Sequence, residues 1–271
     1  MGSKRVFITG GASGLGRALA NRFADAGYSV CIGDVDDGRG AEALAELKAK
    51  GQAHYVNCDV TKEHALQSAA DWLLSNWGGV DIVINNAGVA SAGGIGEFSM
   101  DDWEWIVNIN LLGVVRGCKV FTRLMREQGS GHIVNIASLA GLIYPPKMAS
   151  YCATKAAVVA LSETMSLELD ADNINVSVVC PSFFRTNLAE SVRASDADSQ
   201  AATQRLVNKA KLGADEIAGR VFNSIEKGEF YILPHPEGRS IWRLKRWLPF
   251  KRYRAMMLKQ TARMMTNKRK G

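Results

Sequence analysis

Paired cysteines, clustered metal ligands and long apolar runs are all missing from this sequence. Its five cysteines are scattered without a Cys-x-x-Cys pair, and its four histidines show no metal-ligand spacing. These absences exclude a disulfide scaffold and argue against a metal site. No apolar run approaches the roughly 20 residues of a transmembrane helix, and no signal peptide is evident. We therefore expect a cytoplasmic protein with reduced thiols and no metal.

Acidic residues are missing from one part of the chain. Residues 239–271 contain twelve of the 33 Lys and Arg and none of the 27 Asp and Glu. The rest of the chain holds the other 21 basic side chains against all 27 acidic ones, which gives it a net charge of −6. A surface for an acidic partner therefore belongs to the C-terminal segment and not to the acidic body.

Short β-branched runs alternate with longer helical patterns through most of the chain. This alternation predicts an α/β fold with a doubly wound parallel sheet covered by helices on both faces, a Rossmann-like architecture. The predicted strands are 6–8, 29–32, 53–57, 82–85, 133–136 and 176–179. The predicted helices that follow the first amphipathic helix are 40–50, 62–76, 101–126 and 151–170. His132 precedes one of these strands and is expected in a turn or at the surface; an acid-base group is the alternative role.

No repeat or low-complexity segment divides the chain, so we expect one domain over residues 1–236. Residues 187–213 within it are polar and irregular, and a connection of this length predicts a lid over a pocket. Residues 237–271 are expected to form a basic amphipathic extension of two short helices, divided at Pro249.

A glycine-rich turn follows the first strand, with the spacing Thr-Gly-x-x-x-Gly-x-Gly. Glycines permit a tight turn and a close approach of the backbone to a pyrophosphate, while the following helix N-terminus supplies amides and a positive dipole end. The residues predicted to bind a dinucleotide here are Gly10, Ser13, Gly14, Leu15 and Gly16. The alternative is an ordinary strand-to-helix connection.

Asp34 follows the second predicted strand. A carboxylate at this position can accept hydrogen bonds from the adenosine ribose and repels a 2′-phosphate. Asp36 and Asp37 add negative charge, and no Lys or Arg stands at Ser13. These residues favour NAD(H) over NADP(H).

Further motifs follow the later strands. An Asn-Asn-Ala-Gly run occupies 85–88, and Ser138 comes thirteen residues before the Tyr-x-x-x-Lys pattern of Tyr151 and Lys155. Together with the glycine-rich turn, these motifs resemble the short-chain dehydrogenase/reductase family over about residues 4–190. The resemblance implies an oxidoreductase that uses a nicotinamide dinucleotide.

The spacing of Tyr151 and Lys155 places them on one helix face. A phenol with a pKa near ~10 is a poor base at neutral pH. We therefore expect the Lys155 ammonium and an oxidised nicotinamide to lower the pKa of Tyr151, so that this residue transfers the proton. Ser138 is suited to hold the substrate oxygen or a developing alkoxide.

The family resemblance implies several further roles. Lys155 would also bind the nicotinamide ribose, Asn110 would position a water between Lys155 and solvent, and Thr186 would hold the carboxamide. A cap or kink is the alternative role for Asn110, and an ordinary loop position is the alternative for Thr186. The remaining predicted cofactor contacts are Asp59 (for which an ordinary strand-end position is the alternative), Val60, Asn86, Ala87, Gly88 and Pro181. Ser182 departs from the glycine that is usual after Pro181, which puts nicotinamide placement and substrate clearance in doubt.

Apolar side chains dominate the segments expected to border the nicotinamide. The predicted substrate contacts are Ser138, Tyr144, Tyr151 and Phe183. The interpretation is an NAD(H)-dependent enzyme for a hydrophobic secondary alcohol or ketone, sterol-like, terpenoid or long-chain. A fatty acyl thioester or aldehyde reductase is one alternative. A non-catalytic dinucleotide sensor or membrane scaffold is an alternative from another class.

Aromatic and aliphatic residues are interleaved with basic ones over 239–265. This pattern predicts peripheral contact with an anionic membrane surface. The alternatives are a flap on the pocket or on a neighbouring subunit, and a solvated basic end. Nucleic acid is not expected, because the body is acidic and no recognition module is visible. The family resemblance implies a homo-oligomer, a dimer or tetramer, formed through longer helices, for which 101–126 and 151–170 are suitable.

Overall fold

The computed structural model describes residues 3–185 and 192–265. The strands in these ranges are β1 (Arg5–Thr9), β2 (Ser29–Asp34), β3 (Ala53–Asn57), β4 (Ile82–Asn85), β5 (Ser91–Ala92), β6 (Gly131–Ile136), β7 (Ile174–Val179), β8 (Arg193–Ala194) and β9 (Tyr231–Ile232). Seven of them form one parallel sheet in the order β3-β2-β1-β4-β6-β7-β9, and β5 pairs separately with β8.

Helices follow most of the strands. They are α1 (Gly14–Asp25), α2 (Asp37–Lys48), α3 (Glu63–Trp77), α4 (Met100–Val107), α5 (Val114–Gln128), α6 (Ala140–Ile143), α7 (Ala149–Glu168), α8 (Ala197–Asn208), α9 (Ala214–Glu226), α10 (Pro236–Trp247) and α11 (Phe250–Met265). No helix in the described ranges is both long and apolar enough to cross a membrane.

Two apolar cores lie on opposite faces of the large sheet. Phe7 of β1 packs against Phe121 of α5 on the face that α3, α5 and α7 cover, with ring centroids 5.1 Å apart. On the other face Phe23 of α1 meets Phe222 of α9 edge-on at 4.9 Å. Each fully buried side chain of this size contributes about 1.5–3 kcal/mol to folding. The predicted doubly wound, Rossmann-like fold is confirmed.

The order of the strands reverses between β1 and β4. β1 lies between β2 and β4, so the connections on its two sides run in opposite directions. In open parallel sheets this reversal creates a crevice at the carboxyl ends of the strands, where ligands bind. The residues that immediately follow β1, β2, β4, β6 and β7 are therefore the candidates for ligand binding.

One predicted helix is interrupted. The pattern at 101–126 predicts a continuous helix, whereas the chain forms α4 and α5 with a π-helical segment between them at Asn108–Gly113. The wider turn contains Asn110, which is fully buried and whose side-chain amide bonds to the backbone of Val89. Such segments occur often at functional sites.

His132 is not in a turn or at the surface, as its position before a predicted strand indicated. It lies inside β6, buried, and its Nε2 shares a hydrogen bond of 2.8 Å with the Ser177 hydroxyl of the neighbouring strand. The glycine before it begins the strand earlier than the apolar run does. Burial lowers the pKa of His132 to about 4.

A histidine held neutral by burial makes stability depend on pH. Its pKa rises to about 6.5 on unfolding, so its contribution is complete above pH 6.5 and is lost as the pH falls towards 4. We expect the free energy of unfolding to drop between pH 7.5 and pH 4.5 by roughly 2–3 kcal/mol more than in a His132→Gln variant. Urea unfolding at the two pH values measures this difference. Equal drops in the two proteins would remove His132 as the cause.

Candidate active site

A cavity of about 800 Å³ lies along the carboxyl ends of the strands of the large sheet. Its walls include residues that directly follow four of those strands, namely Gly10, Cys58, Asn86 and Ala137. Pro181, two residues after β7, and Asp34, at the end of β2, also line it. The cavity thus occupies the crevice expected from the strand order. It runs from Asp34 on one side to Tyr151 and Lys155 on the other.

The glycine-rich turn forms the floor of one end of this cavity. Gly10 and Gly14 adopt positive φ angles of 63° and 52°, which strain any residue with a side chain. Ser13, Gly14 and Leu15 line the cavity at the N-terminus of α1, where the helix presents amides and its positive dipole end. Gly16 does not line it.

Gly16 instead allows α1 to pack against the turn. A Cβ atom on Gly16 would lie 2.1 Å from the carbonyl oxygen of Gly10. The Asn86 side-chain amide holds the same turn from β4 by donating to the carbonyl oxygens of Thr9 and Gly10. The amides of Asn86 and Ala87 donate in return to the Thr9 hydroxyl. The predicted residues Gly10, Gly16, Asn86 and Ala87 therefore form one connected cradle.

Asp34 is held in a single orientation at the cavity. One carboxylate oxygen accepts from the amide of Ala12 at 3.0 Å, and the other accepts from the amide of Val35 at 2.8 Å. The guanidinium of Arg39 also lines this end, 3.4 Å from Asp36. Arg39 was not predicted from the sequence. Its position in the first turn of α2, the helix that follows Asp34, could have indicated that it lies at the cavity.

Asp59 and Val60 line the cavity next to β3. One oxygen of the Asp59 carboxylate accepts from both the amide and the hydroxyl of Thr61, at 2.9 and 2.7 Å. Asp59 thus closes its own turn as well as facing the cavity, and both of the roles expected for it remain compatible with its position.

Asn110 lies behind the cavity wall. Its side-chain oxygen accepts from the Val89 amide at 2.8 Å, and its side-chain nitrogen donates to the Val89 carbonyl at 2.9 Å. Val89 and Gly88 line the cavity, so the buried amide fixes the segment after β4. The proposed role of Asn110 in holding a water stays a prediction.

Ser138, Tyr151 and Lys155 converge on the other end of the cavity. All three line it and all three are at least nine-tenths buried. The Ser138 hydroxyl accepts from the amide of Ala140 at 3.1 Å, while the Lys155 ammonium donates to the carbonyl of Ile136 at 2.9 Å. The Lys155 nitrogen is 5.9 Å from the centre of the Tyr151 ring.

Burial dominates the ionisation of this group. It raises the pKa of Tyr151 to about 12, against a smaller lowering effect of the Ser138 hydroxyl. Burial also lowers the pKa of Lys155 to about 8. The expectation that Lys155 lowers the pKa of Tyr151 is thus not met by these residues alone, because desolvation opposes both charged forms.

The substrate residues predicted from the sequence separate in space. Phe183 lines the cavity beside Ser138 and Tyr151. Tyr144 does not. It directly follows α6 with a positive φ of 53° and is 53% exposed. The Lys245 ammonium nitrogen lies 3.3 Å from the centre of its ring. Tyr144, which the sequence predicted at the substrate, therefore contacts the C-terminal extension instead.

Apolar residues form the rest of this end of the cavity. Ile143, Pro145, Met148 and Phe184 come from segments already expected to border the nicotinamide. The sequence reasoning missed Val89, Ala90, Val192 and Val207, which also line it. Val192 and Val207 belong to the predicted lid at 187–213, which contains β8 and α8 and is not irregular throughout.

The residues after β7 are only partly described. Pro181 lines the cavity, and the amide of Ser182 donates to Nδ1 of His235 at 3.1 Å. His235 precedes α10, so this contact joins the cavity wall to the C-terminal extension. Thr186, predicted to hold a carboxamide, lies outside the described residues.

The C-terminal helices contact α6, which begins two residues after Ser138. Gly238 packs against the Leu139 side chain. The Lys245 ammonium donates to the carbonyl of Leu142, and the buried Tyr253 hydroxyl donates to that of Ile143 at 2.5 Å. The extension therefore supports one wall of the cavity.

Similar proteins are known. The family model described as short chain dehydrogenase matches residues 4–197. The CLA biosynthesis dehydrogenase/reductase of Lactiplantibacillus plantarum is 34% identical, over 86% of this chain and 88% of the relative. The 3beta-hydroxysteroid dehydrogenase 1 of Eggerthella lenta is 33% identical, over 79% and 82%. The structure of a short chain dehydrogenase/reductase from Burkholderia phymatum in complex with NAD has 38% identity and a TM-score of 0.84, over 89% of this chain and 92% of that one.

Proposed function

Because the chain belongs to the short chain dehydrogenase family, we propose that this oxidoreductase transfers a hydride between NAD(H) and a hydrophobic secondary alcohol or ketone. One observation carries the proposal. A single cavity joins Asp34 and the glycine-rich turn to Ser138, Tyr151 and Lys155, and the wall beside those three is apolar. The proposal is thus built on a cofactor end and a reaction end that share one cavity.

The residues at the cofactor end fit a nicotinamide dinucleotide. The amides at Ser13, Gly14 and Leu15 would hold the pyrophosphate, and Asp34 would accept from the adenosine ribose. Lys155 would bind the nicotinamide ribose. When bound, the cofactor supplies the hydride acceptor or donor, and its oxidised ring adds a positive charge that favours a phenolate.

The chain's own residues handle the proton and the oxygen. As a phenolate, Tyr151 takes the hydroxyl proton of the alcohol and becomes the phenol; in the opposite direction the phenol gives its proton to the ketone oxygen. Ser138 donates to the same oxygen as its charge develops. Lys155 is held by the Ile136 carbonyl, and its ammonium lies on the Tyr151 side of the cavity. Asn110 keeps the adjoining segment in place through Val89.

The preference for NAD(H) over NADP(H) rests on the orientation of Asp34. Two backbone amides aim its carboxylate at the cavity, where a 2′-phosphate would meet a negative charge. Arg39 is the opposing feature, because a guanidinium at this end is suited to a phosphate. The similar protein from Burkholderia phymatum was crystallised in complex with NAD, which supports the preference for NAD(H).

Replacing Asp34 tests this balance. Loss of charge-assisted hydrogen bonds is worth about 1.5–3 kcal/mol, so Asp34→Ala should raise KM for NAD⁺ about 10- to 100-fold. The same variant should gain activity with NADP⁺, and a second change, Arg39→Ala, should remove that gain. Initial rates with both dinucleotides measure these effects. An unchanged KM for NAD⁺ in Asp34→Ala would contradict the assignment.

Apolar walls favour an apolar substrate. Met148, Phe183, Phe184, Val192 and Val207 are apolar, and Lys155 is the one charged side chain that the described lining residues place at this end of the cavity. The name of the similar Eggerthella lenta enzyme, a hydroxysteroid dehydrogenase, is consistent with a large apolar alcohol.

A homologous series of secondary alcohols tests the substrate class. Each methylene buried is worth about 0.8 kcal/mol, so kcat/KM should rise up to about fourfold per carbon until the cavity is filled. Formation of NADH at saturating NAD⁺ measures the rates. Faster oxidation of polyols or hydroxy acids than of long alcohols would reject the apolar assignment while leaving the hydride chemistry intact.

A further inference from the structure

The C-terminal helices expose apolar side chains at their junction and on either side of it. Trp247 ends α10 and is 86% exposed, and Phe250 begins α11 and is 75% exposed. Leu244 and Leu258 are exposed on the same two helices. We call these four residues the junction cluster. Side chains as exposed as the two rings project from the surface instead of lying flat on it.

Basic residues surround the junction cluster in the sequence. Arg243 and Arg246 stand beside its members on α10, Lys251 and Arg254 stand beside its members on α11, and all four are exposed. Between residues 239 and 271 the chain has no Asp or Glu. The exposed apolar rings therefore lie within a strongly positive segment, whereas the rest of the chain is acidic.

Other side chains of both helices already contact the body of the protein. Tyr253 is buried and bonds to the carbonyl of Ile143, and Lys245 bonds to that of Leu142. Trp242 packs against Tyr231 of β9 with ring centroids 4.7 Å apart. The extension is thus docked on the body by these side chains, and the junction cluster is not needed for that contact.

We propose that the junction cluster and its basic neighbours bind an anionic lipid surface. Trp247 and Phe250 enter the headgroup layer, and the adjacent Arg and Lys side chains contact lipid phosphates. The helices then lie on the surface, since no described helix is suited to cross it. Aromatic rings next to basic groups, with no acidic side chain, are the composition that such binding requires.

A second copy of this chain is the main rival occupant. A symmetric dimer through the junction cluster would place the same patch on both sides of the interface. The Arg and Lys side chains of one copy would then face those of the other, and like charges oppose such a contact. An anionic lipid surface carries the opposite charge and adapts its shape to projecting rings. It therefore suits both the basic side chains and the exposed rings.

The position of the surface matters for the proposed function, on which this consequence rests. The helices that carry the junction cluster also contact α6, which contributes Ile143 to the cavity wall. Lipid binding would therefore hold that wall near a membrane, where hydrophobic alcohols are concentrated. Vesicle binding itself needs no catalysis, so the two proposals can fail separately.

Co-sedimentation of the full chain with vesicles tests the proposal. We expect binding to phosphatidylcholine vesicles containing phosphatidylglycerol to be at least about 10-fold stronger than to phosphatidylcholine alone, and to weaken as salt is raised. Trp247→Ser with Phe250→Ser should reduce binding at least about 10-fold. The matched control is Leu74→Ser with Ile95→Ser, two exposed apolar residues elsewhere, which should bind as the parent does.

A second variant keeps the test independent of folding defects. Lys251→Glu with Arg254→Glu alters only exposed charges and should also reduce binding to the anionic vesicles at least about 10-fold. Thermal unfolding checks that each variant is folded. Equal binding to neutral and anionic vesicles, or binding unaffected by both double variants, would overturn the proposal. So would concentration-dependent self-association without lipid that the Trp247 and Phe250 changes abolish, since that result identifies a second copy.

Discussion

Tyr151→Phe is expected to lower kcat by about a factor of 10³ while leaving dinucleotide binding nearly unchanged, because proton transfer by a positioned side chain contributes 10²–10⁴-fold. The change removes one oxygen from a buried ring and leaves its packing in place. Ser138 and Lys155 remain at the cavity, but neither has the phenol that the proton transfer requires. Steady-state rates of NADH formation with a secondary alcohol, together with NADH binding by fluorescence, measure the two parts of this expectation.

Tyr144→Phe is the matched control for this loss. Tyr144 was expected at the substrate from its place in the sequence, but its ring is exposed and faces Lys245. Its kcat/KM should stay within about twofold of the parent value, as surface changes away from a site have small effects. Full activity in Tyr151→Phe would reject the assigned chemistry, and a large loss in Tyr144→Phe would place that residue at the substrate after all.

Gly16→Ala should damage the cofactor end of the cavity. The added methyl carbon would lie 2.1 Å from the carbonyl oxygen of Gly10, and backbone cannot move aside as a flexible side chain can. Either α1 or the glycine-rich turn must shift. We expect the free energy of unfolding to fall by about 3 kcal/mol, the upper end for overpacking, and the affinity for NADH to fall at least about 10-fold.

Gly219→Ala provides the comparison. Gly219 also lies in a helix, α9, but nothing stands within 4 Å of an added Cβ. Replacing a helical glycine with alanine in open space stabilises by about 0.5–1 kcal/mol. Urea unfolding should therefore show Gly16→Ala destabilised and Gly219→Ala stabilised, and NADH titration should show a loss of affinity in Gly16→Ala alone. Unchanged stability and affinity in Gly16→Ala would show that the turn has room that the structure does not give it.

Local sequence patterns predicted the fold and many of the residues that line the cavity. The alternation of strands and helices was sufficient to predict the doubly wound sheet, because each pattern reflects its own burial. The positions of Asp34, Asn86 and Pro181 follow from the same rule, since residues after parallel strands meet at one edge of the sheet. Tyr151 and Lys155 follow from helical spacing alone.

Contacts between distant segments were not predictable in this way. Val192 and Val207 reach the cavity because β8 pairs with β5, a pairing of two residues per strand that leaves no pattern in the sequence. Tyr144 lies away from the cavity, and its ring contacts Lys245 of α10, a residue about a hundred positions later in the chain. The protein groups alone raise the pKa of Tyr151, because its burial depends on the whole cavity wall. The effect of an oxidised nicotinamide on that pKa stays a prediction.

Isotope transfer tests the central claim most directly. The protein is incubated with NAD⁺ and a long-chain secondary alcohol that carries deuterium on its carbinol carbon, and the dinucleotide is then analysed by mass spectrometry. Hydride transfer predicts NADH that is heavier by one deuterium, formed in step with the ketone and almost absent with Tyr151→Phe. NADH binding without any labelled product from alcohols of graded length would contradict the account and would favour a dinucleotide-binding protein without this activity.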